Sequence, residues 1–178
     1  MKDQEDAKLN TPGLLRIFVY GTLKRGMWNH ERFCARAISI EEAVVRGRLY
    51  EIGSGLPVLQ VPEPDILAHG TADPRADVAT QARFTAEMAQ RSDLRAKGRT
   101  RRGWTLVRGE LMTFDDPKER LPRLDRLEGF RADNASLYYR VLVPTMLMDN
   151  PVPAWTYVAG EHLLNLCRRS ISSWPCSS

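Results

Sequence analysis

Short stretches in which apolar positions alternate with polar ones, or run together, recur along this chain and are broken by glycine and proline. Residues 14–20 (LLRIFVY) are rich in apolar and β-branched side chains. They end at Gly21, with Gly26 close behind, which predicts a strand opening into a loop. Residues 44–52 (VVRGRLYEI) alternate, with Val45, Leu49 and Gly47 on one face, as a half-buried strand requires. Ser54-Gly55 turns the chain, and residues 56–61 predict a short strand before Pro62. Residues 104–114 (WTLVRGELMTF), 138–148 and 154–159 read as further strands, the last two separated by the turn-forming Asp149-Asn150-Pro151.

Helical spacing is rarer. Asn29 is placed to cap a helix over residues 31–37. Residues 80–97 suit a helix with a thin apolar stripe through Phe84 and Met88, stopped by Gly98. Asp115-Asp116-Pro117 marks a clearer start. Asp116 is the expected N-cap, Pro117 the first helical residue and Glu119 the capping-box partner, with Glu128 last and Gly129 as the stop. Residues 162–168 predict a short helix, and the proline-rich residues 62–74 a loop. The irregular order of strands and helices favours the α+β class over an alternating, doubly wound sheet.

Composition narrows the function classes. At 178 residues, with 43% hydrophobic and 27% charged, the chain has the length and proportions of one globular domain. The expected organisation is a disordered leader over residues 1–13, a domain over 14–160 with a surface insertion at about 62–103, and a tail over 161–178. The polar leader has no secretory pattern, and no apolar run is long enough to span a membrane. Cys34, Cys167 and Cys176 are too scattered for a disulfide framework, which points to a reducing, cytoplasmic setting. His30, His69 and His162 lack zinc-site spacing, so no metal is expected. A net charge of +4 admits an anionic small-molecule substrate. Residues 91–102 hold six basic side chains and no aromatic one, the composition of a solvated loop rather than a stacking platform. Nucleic acid is therefore not an expected partner, and the protein is expected to be a monomer.

Three places break or exceed these patterns. Leu121, Leu124 and Glu128 fall at i, i+3 and i+7, on one helical face, so a carboxylate occupies a position patterned for the core. It also sits in the last turn, where the helix dipole disfavours negative charge. Both effects raise a carboxyl pKa toward the range of a general acid or base. The alternative is a surface glutamate paired with Arg123, Arg126 or Arg131, and pattern alone does not separate the two. Tyr20-Gly21-Thr22-Leu23 closes a strand and opens a polar loop, where backbone N–H groups outside any ladder can hold a carboxylate or an oxyanion. The bland alternative is an ordinary turn. Tyr138 and Tyr139 open a strand and must face opposite ways, so one can point toward Glu128. Ser54 lacks the spacing of a nucleophile elbow, and Cys34 reads as a core thiol.

In order along the chain, VYGTLKRGMWNH, GRLYEIGSGLPVL, VRGELMTF, LPRLDRLEGF, YYRVLV and AWTYVAG span most of residues 15–160. This succession resembles the γ-glutamylcyclotransferase-like family, in particular its γ-glutamylamine cyclotransferase branch. The resemblance implies a small mixed β-barrel flanked by helices. It implies a cofactor-independent enzyme that converts a γ-glutamyl amine or peptide to 5-oxoproline, with Glu128 as catalytic acid and base. Tyr20, Gly21, Thr22 and Leu23 would then hold the substrate, and Tyr139 would line the pocket. The competing readings are a non-catalytic binding module on the same fold, which would have a filled or closed pocket, and a binder of RNA or acidic partners through residues 91–102.

Overall fold

The computed structural model describes residues 13–90, 103–132, 136–166 and 169–175. The first half runs β1 (Leu15–Val19), α1 (His30–Phe33), β2 (Ser39–Glu51), β3 (Pro57–Gln60), β4 (Ala68–His69) and α2 (Pro74–Gln90). The second runs β5 (Thr105–Phe114), α3 (Pro117–Glu128), β6 (Tyr138–Leu147), β7 (Asn150–Ala159), α4 (Glu161–Leu164) and β8 (Arg169–Ile171).

Every residue of β1 is buried because both its faces are covered. Phe18 joins the interior cluster with Val45, Leu49, Val107, Leu111 and Val143. Leu15, Ile17 and Val19 join the second cluster, beneath the helices, with Leu121, Leu124 and Trp155. A strand enclosed in this way reads as an unbroken apolar run, whereas β2, enclosed on one face, alternates. Each large apolar side chain so buried contributes about 1.5–3 kcal/mol against the entropy of ordering the chain.

The strands close on themselves. β2 pairs antiparallel with β5 from Ser39 opposite Thr113 to Gly47 opposite Thr105, and β5 pairs antiparallel with β1. β1 meets β7 in parallel at Ile17 and Trp155, and β7 pairs antiparallel with β6. β6 returns to β2 through Val44–Met146 and Val45–Thr145. The circuit is a closed, mixed, five-stranded barrel in an α+β fold, the architecture the sequence resemblance implied. β3 and β8 extend the far end of β2, and β4 flanks β6.

Several local expectations are corrected. α1 has four residues, and the Asn29 side chain donates to Thr22 Oγ1 (3.0 Å) instead of capping it. The Asp116 carboxylate also leaves its cap position, binding the Arg120 guanidinium one turn on (2.7 Å). The β6–β7 turn falls at Met148-Asp149, so Asn150 and Pro151 belong to β7, which is longer than expected. Residues 62–74 contain a 3-10 turn (Glu63–Asp65) and β4 as well as loop.

α2 begins at Pro74, six residues before the expected start, with proline in the first turn where its missing N–H costs nothing. Its inward face is largely polar: Asp77, Val78, Gln81, Thr85 and Met88 are buried. Gln81 Oε1 accepts the Arg16 backbone N–H (2.9 Å), and Gln81 Nε2 donates to the Leu14 carbonyl (3.0 Å). The first half of the stretch expected as a surface insertion is thus bonded to β1. The basic run at 91–102 and the leader at 1–12 lie outside the described residues.

Candidate active site

Leu121 and Leu124 anchor α3 in the outer core at 0% exposure. Their spacing carries Glu128, on the same face, to the wall of a cavity of about 330 Å³. Gly129 ends the helix in the left-handed conformation (φ 65°), which a side chain would strain. Phe130 then returns its N–H to the Asp125 carbonyl (2.9 Å) and buries its ring. Desolvation pushes the Glu128 carboxyl up to about 7. Among the described residues no cation forms an ion pair with it. Arg123 donates instead to the Arg32 carbonyl (2.8 Å). A carboxyl titrating near neutrality can accept a proton and return it.

The loop that leaves β1 lines the same cavity. Its turns are closed by Lys24 N–H to the Gly21 carbonyl (3.0 Å), Met27 N–H to the Lys24 carbonyl (3.0 Å) and Asn29 N–H to the Thr22 carbonyl (3.2 Å). The backbone N–H groups of Gly21, Thr22 and Leu23 find no acceptor among the described residues. All three residues line the cavity, as does Tyr20. A Cβ on Gly21 would lie 2.7 Å from Pro57 Cγ, so the loop is pressed against the start of β3, and only glycine fits there.

Behind the loop runs a line of buried polar groups. The Tyr20 hydroxyl donates to the Tyr157 carbonyl (2.8 Å). Burial, reinforced by Tyr138 and Glu128 nearby, holds its phenol well above the ordinary range and therefore protonated. The Tyr157 hydroxyl donates to Asp125 (2.8 Å), which also receives Arg140 Nη1 (2.6 Å). Arg140 Nη2 donates to Asp77 and to the Thr71 carbonyl (2.8 Å for the latter). Burial pushes the Asp77 and Asp125 carboxyls up, and the Arg140 guanidinium pulls against it. The guanidinium also lies over Phe130 and Trp155, with centroids at 5.0 and 5.5 Å. α2, α3, β6 and β7 are thereby tied together next to the cavity.

Of the residues singled out from sequence, Tyr20, Gly21, Thr22, Leu23 and Glu128 meet around this cavity, whereas Tyr139 does not. Strand alternation turns Tyr139 away. It is 37% exposed, and its hydroxyl accepts the Ser136 N–H (3.5 Å). Tyr138 takes the expected place in the wall and donates its hydroxyl to the Pro57 carbonyl (3.3 Å). Trp28, Asn29, Leu137 and Tyr157 also line the cavity and were not anticipated. Asp125 was legible in principle, since it falls at i+4 from Leu121 and breaks the apolar face as Glu128 does. Cys34 is buried, and its thiol is pushed up to about 12, which leaves it inert. Among the described residues no group of three His, Cys, Asp or Glu side chains is placed to hold a metal ion, and no helix is long and apolar enough to cross a membrane.

Comparisons with known proteins bear on this arrangement. No curated protein matches the chain. Among solved structures, an AIG2-like protein from Mus musculus is 21% identical, with 90% of this chain and 88% of that one covered and a TM-score of 0.48. YkqA from Bacillus subtilis is 18% identical, with 89% of this chain and 38% of that one covered and a TM-score of 0.49. The uncharacterized protein PH0828 from Pyrococcus horikoshii is 17% identical, with 89% and 86% covered and a TM-score of 0.47. The model of one family, described as gamma-glutamyl cyclotransferase, AIG2-like, matches residues 17–73 and 79–175. That span takes in the barrel strands, the Gly21–Leu23 loop and Glu128, and the chain belongs to the AIG2-like gamma-glutamyl cyclotransferase family.

Proposed function

We propose that the protein is a γ-glutamylcyclotransferase that releases an amine from a γ-glutamyl amide and leaves 5-oxoproline. The observation that carries this reading is one open cavity lined both by a carboxyl with a pKa near 7 and no ion pair among the described residues and by a run of residues whose backbone N–H groups are unclaimed there. A non-catalytic module on the same fold is expected to have a filled or closed pocket, whereas this cavity is open.

The substrate brings its own nucleophile. Its α-amine attacks the γ-carbonyl carbon, forming the C–N bond of a five-membered ring. The bond from that carbon to the leaving nitrogen then breaks. One proton moves from the attacking amine to the departing one, and no water is consumed. Glu128 is suited to take that proton and hand it on. The N–H groups of Gly21, Thr22 and Leu23 are suited to bind the substrate carboxylate or the oxyanion of the tetrahedral intermediate. Holding the glutamyl chain curled supplies much of the rate, since positioning of this kind contributes about 7–11 kcal/mol in favourable cases. Action as a monomer in a reducing, cytoplasmic setting belongs to the same proposal, the setting resting on the scattered placement of the three cysteines along the sequence.

The test is release of 5-oxoproline from γ-glutamyl amines, γ-glutamyl amino acids and glutathione, with Glu128→Gln run beside the wild type. Turnover is expected to fall by about a hundredfold or more in the variant, the size of a lost general base. In the wild type, kcat/KM should rise with pH through about 7 as the base form appears. Unchanged turnover in Glu128→Gln would overturn the assignment.

A further inference from the structure

Beyond α4 the chain returns to the barrel as β8, which pairs antiparallel with β2 at Leu49–Ile171, Tyr50–Ser170 and Glu51–Arg169. The Arg108 N–H donates to the Ser172 carbonyl (3.4 Å). Ile171 and Trp174 then bury their side chains in the interior cluster that also holds Tyr20 and Leu59.

Trp174 is 5% exposed, and three contacts leave it in two directions. Toward the loop after β1, its ring meets Trp28 edge-on, with centroids 5.5 Å apart, and its backbone carbonyl accepts the Lys24 ammonium. Toward the approach to β3, its indole N–H donates to the Gly55 carbonyl (3.1 Å). Lys24 and Trp28 belong to the loop that carries the N–H groups of Gly21, Thr22 and Leu23. Gly55 precedes Leu56 and Pro57, and Pro57 is the side chain against which Gly21 is pressed. Trp28, Leu56 and Pro57 line the cavity, whereas Trp174 stands behind them and is not part of its wall. A buried ring with a fixed edge-on neighbour and a hydrogen-bonded indole has little freedom left, so it can hold both segments still.

We propose that Trp174 is a positioning residue, and that residues 169–175 form a strap fixing two walls of the cavity before substrate arrives. The activity arm of this proposal rests on the cyclotransferase reading. A loop that must be ordered by the substrate weakens binding by the entropy of that ordering, and a loop already held does not. Glu128 is carried separately, on α3, which Leu121 and Leu124 anchor in the other cluster. Loss of the strap should therefore weaken substrate binding and leave the base as it is.

The test combines kinetics with hydrogen exchange. Trp174→Ala is expected to raise KM for a γ-glutamyl substrate at least about tenfold, with kcat within about twofold. The midpoint of the pH profile should stay near 7. Trp174→Phe, which keeps a ring in the core, should recover most of the KM. Lys24→Met removes only the tether to the Trp174 carbonyl and should raise KM less, in the same direction; it decides the question if Trp174→Ala does not fold. In either variant the amides of Lys24, Met27 and Asn29, whose bonds close the loop, should exchange at least about tenfold faster, with Leu15–Val19 unchanged. An unchanged KM, a loss confined to kcat, or equal acceleration of loop and β1 would overturn the proposal. If the wild type turns over no γ-glutamyl compound, the cyclotransferase reading fails, and the exchange comparison alone decides the strap: selective loosening of the loop supports it, and its absence overturns it.

Discussion

Glu128 occupies the last turn of α3, where both the apolar face and the helix dipole act against a negative charge. Its carboxyl stands at about 7 against an ordinary 4.5, so between those pH values the folded protein holds a proton that the unfolded chain has released. Stability due to this group therefore falls as pH rises from about 4.5 to 7 and stays at its low value above. The gap corresponds to at most about 3 kcal/mol, an upper bound because the cavity leaves part of the residue open to water. Glutamine resembles the protonated form and does not titrate. Glu128→Gln is expected to be more stable than the wild type at pH 8, with the advantage gone at pH 4. Urea midpoints at the two pH values check this, and a difference independent of pH would show that the carboxyl is not desolvated.

Among the elements, α2 is attached in an unusual way. Its buried face carries Asp77 and Gln81, and it docks by hydrogen bonds to β1 and to Arg140 as much as by apolar contact. Asp77 and Arg140 are each 1% exposed; removing Asp77 leaves the buried guanidinium with Asp125 as its one carboxylate among the described residues, whereas removing Arg140 takes the cation from both carboxylates. Asp77→Ala is expected to cost about 3 kcal/mol, read from urea unfolding. Arg140→Met should cost more than Asp77→Ala, because it leaves both Asp77 and Asp125 without their cation. A single-variant loss under about 1 kcal/mol would mean that the network is already hydrated.

For the molecule as a whole, closure of the barrel makes β1 its centre. It lies between β5 and β7 and is covered on both faces, by the interior and by the helices. Its amides have the least access to local opening. Hydrogen exchange should be slowest in Leu15–Val19, and appreciably faster in the peripheral pairs that β3, β4 and β8 make. Slowest exchange in β3 would indicate that the extension, rather than the barrel, is the stable unit.

Local chemistry made some of this legible in advance. The β1 run, the alternation of β2 and the Pro117-to-Gly129 helix are each written in a few neighbouring residues, and so is the anomaly of Glu128. β4 and β8, two and three residues long, have too little periodicity to register and exist because a longer strand offers them an edge. The inward face of α2 looked weak because its polar residues bond to groups more than sixty positions away. Tyr138 and Tyr139 could not be told apart by pattern, since alternation fixes that they face opposite ways but not which way is in. The α+β class, the main strands and the misplaced carboxylate with its helix are therefore set by local pattern. The register that closes the barrel, the Asp77–Arg140–Asp125 line and the meeting of Glu128 with the Gly21–Leu23 loop at one cavity come only from folding, because each joins residues that no local rule brings together.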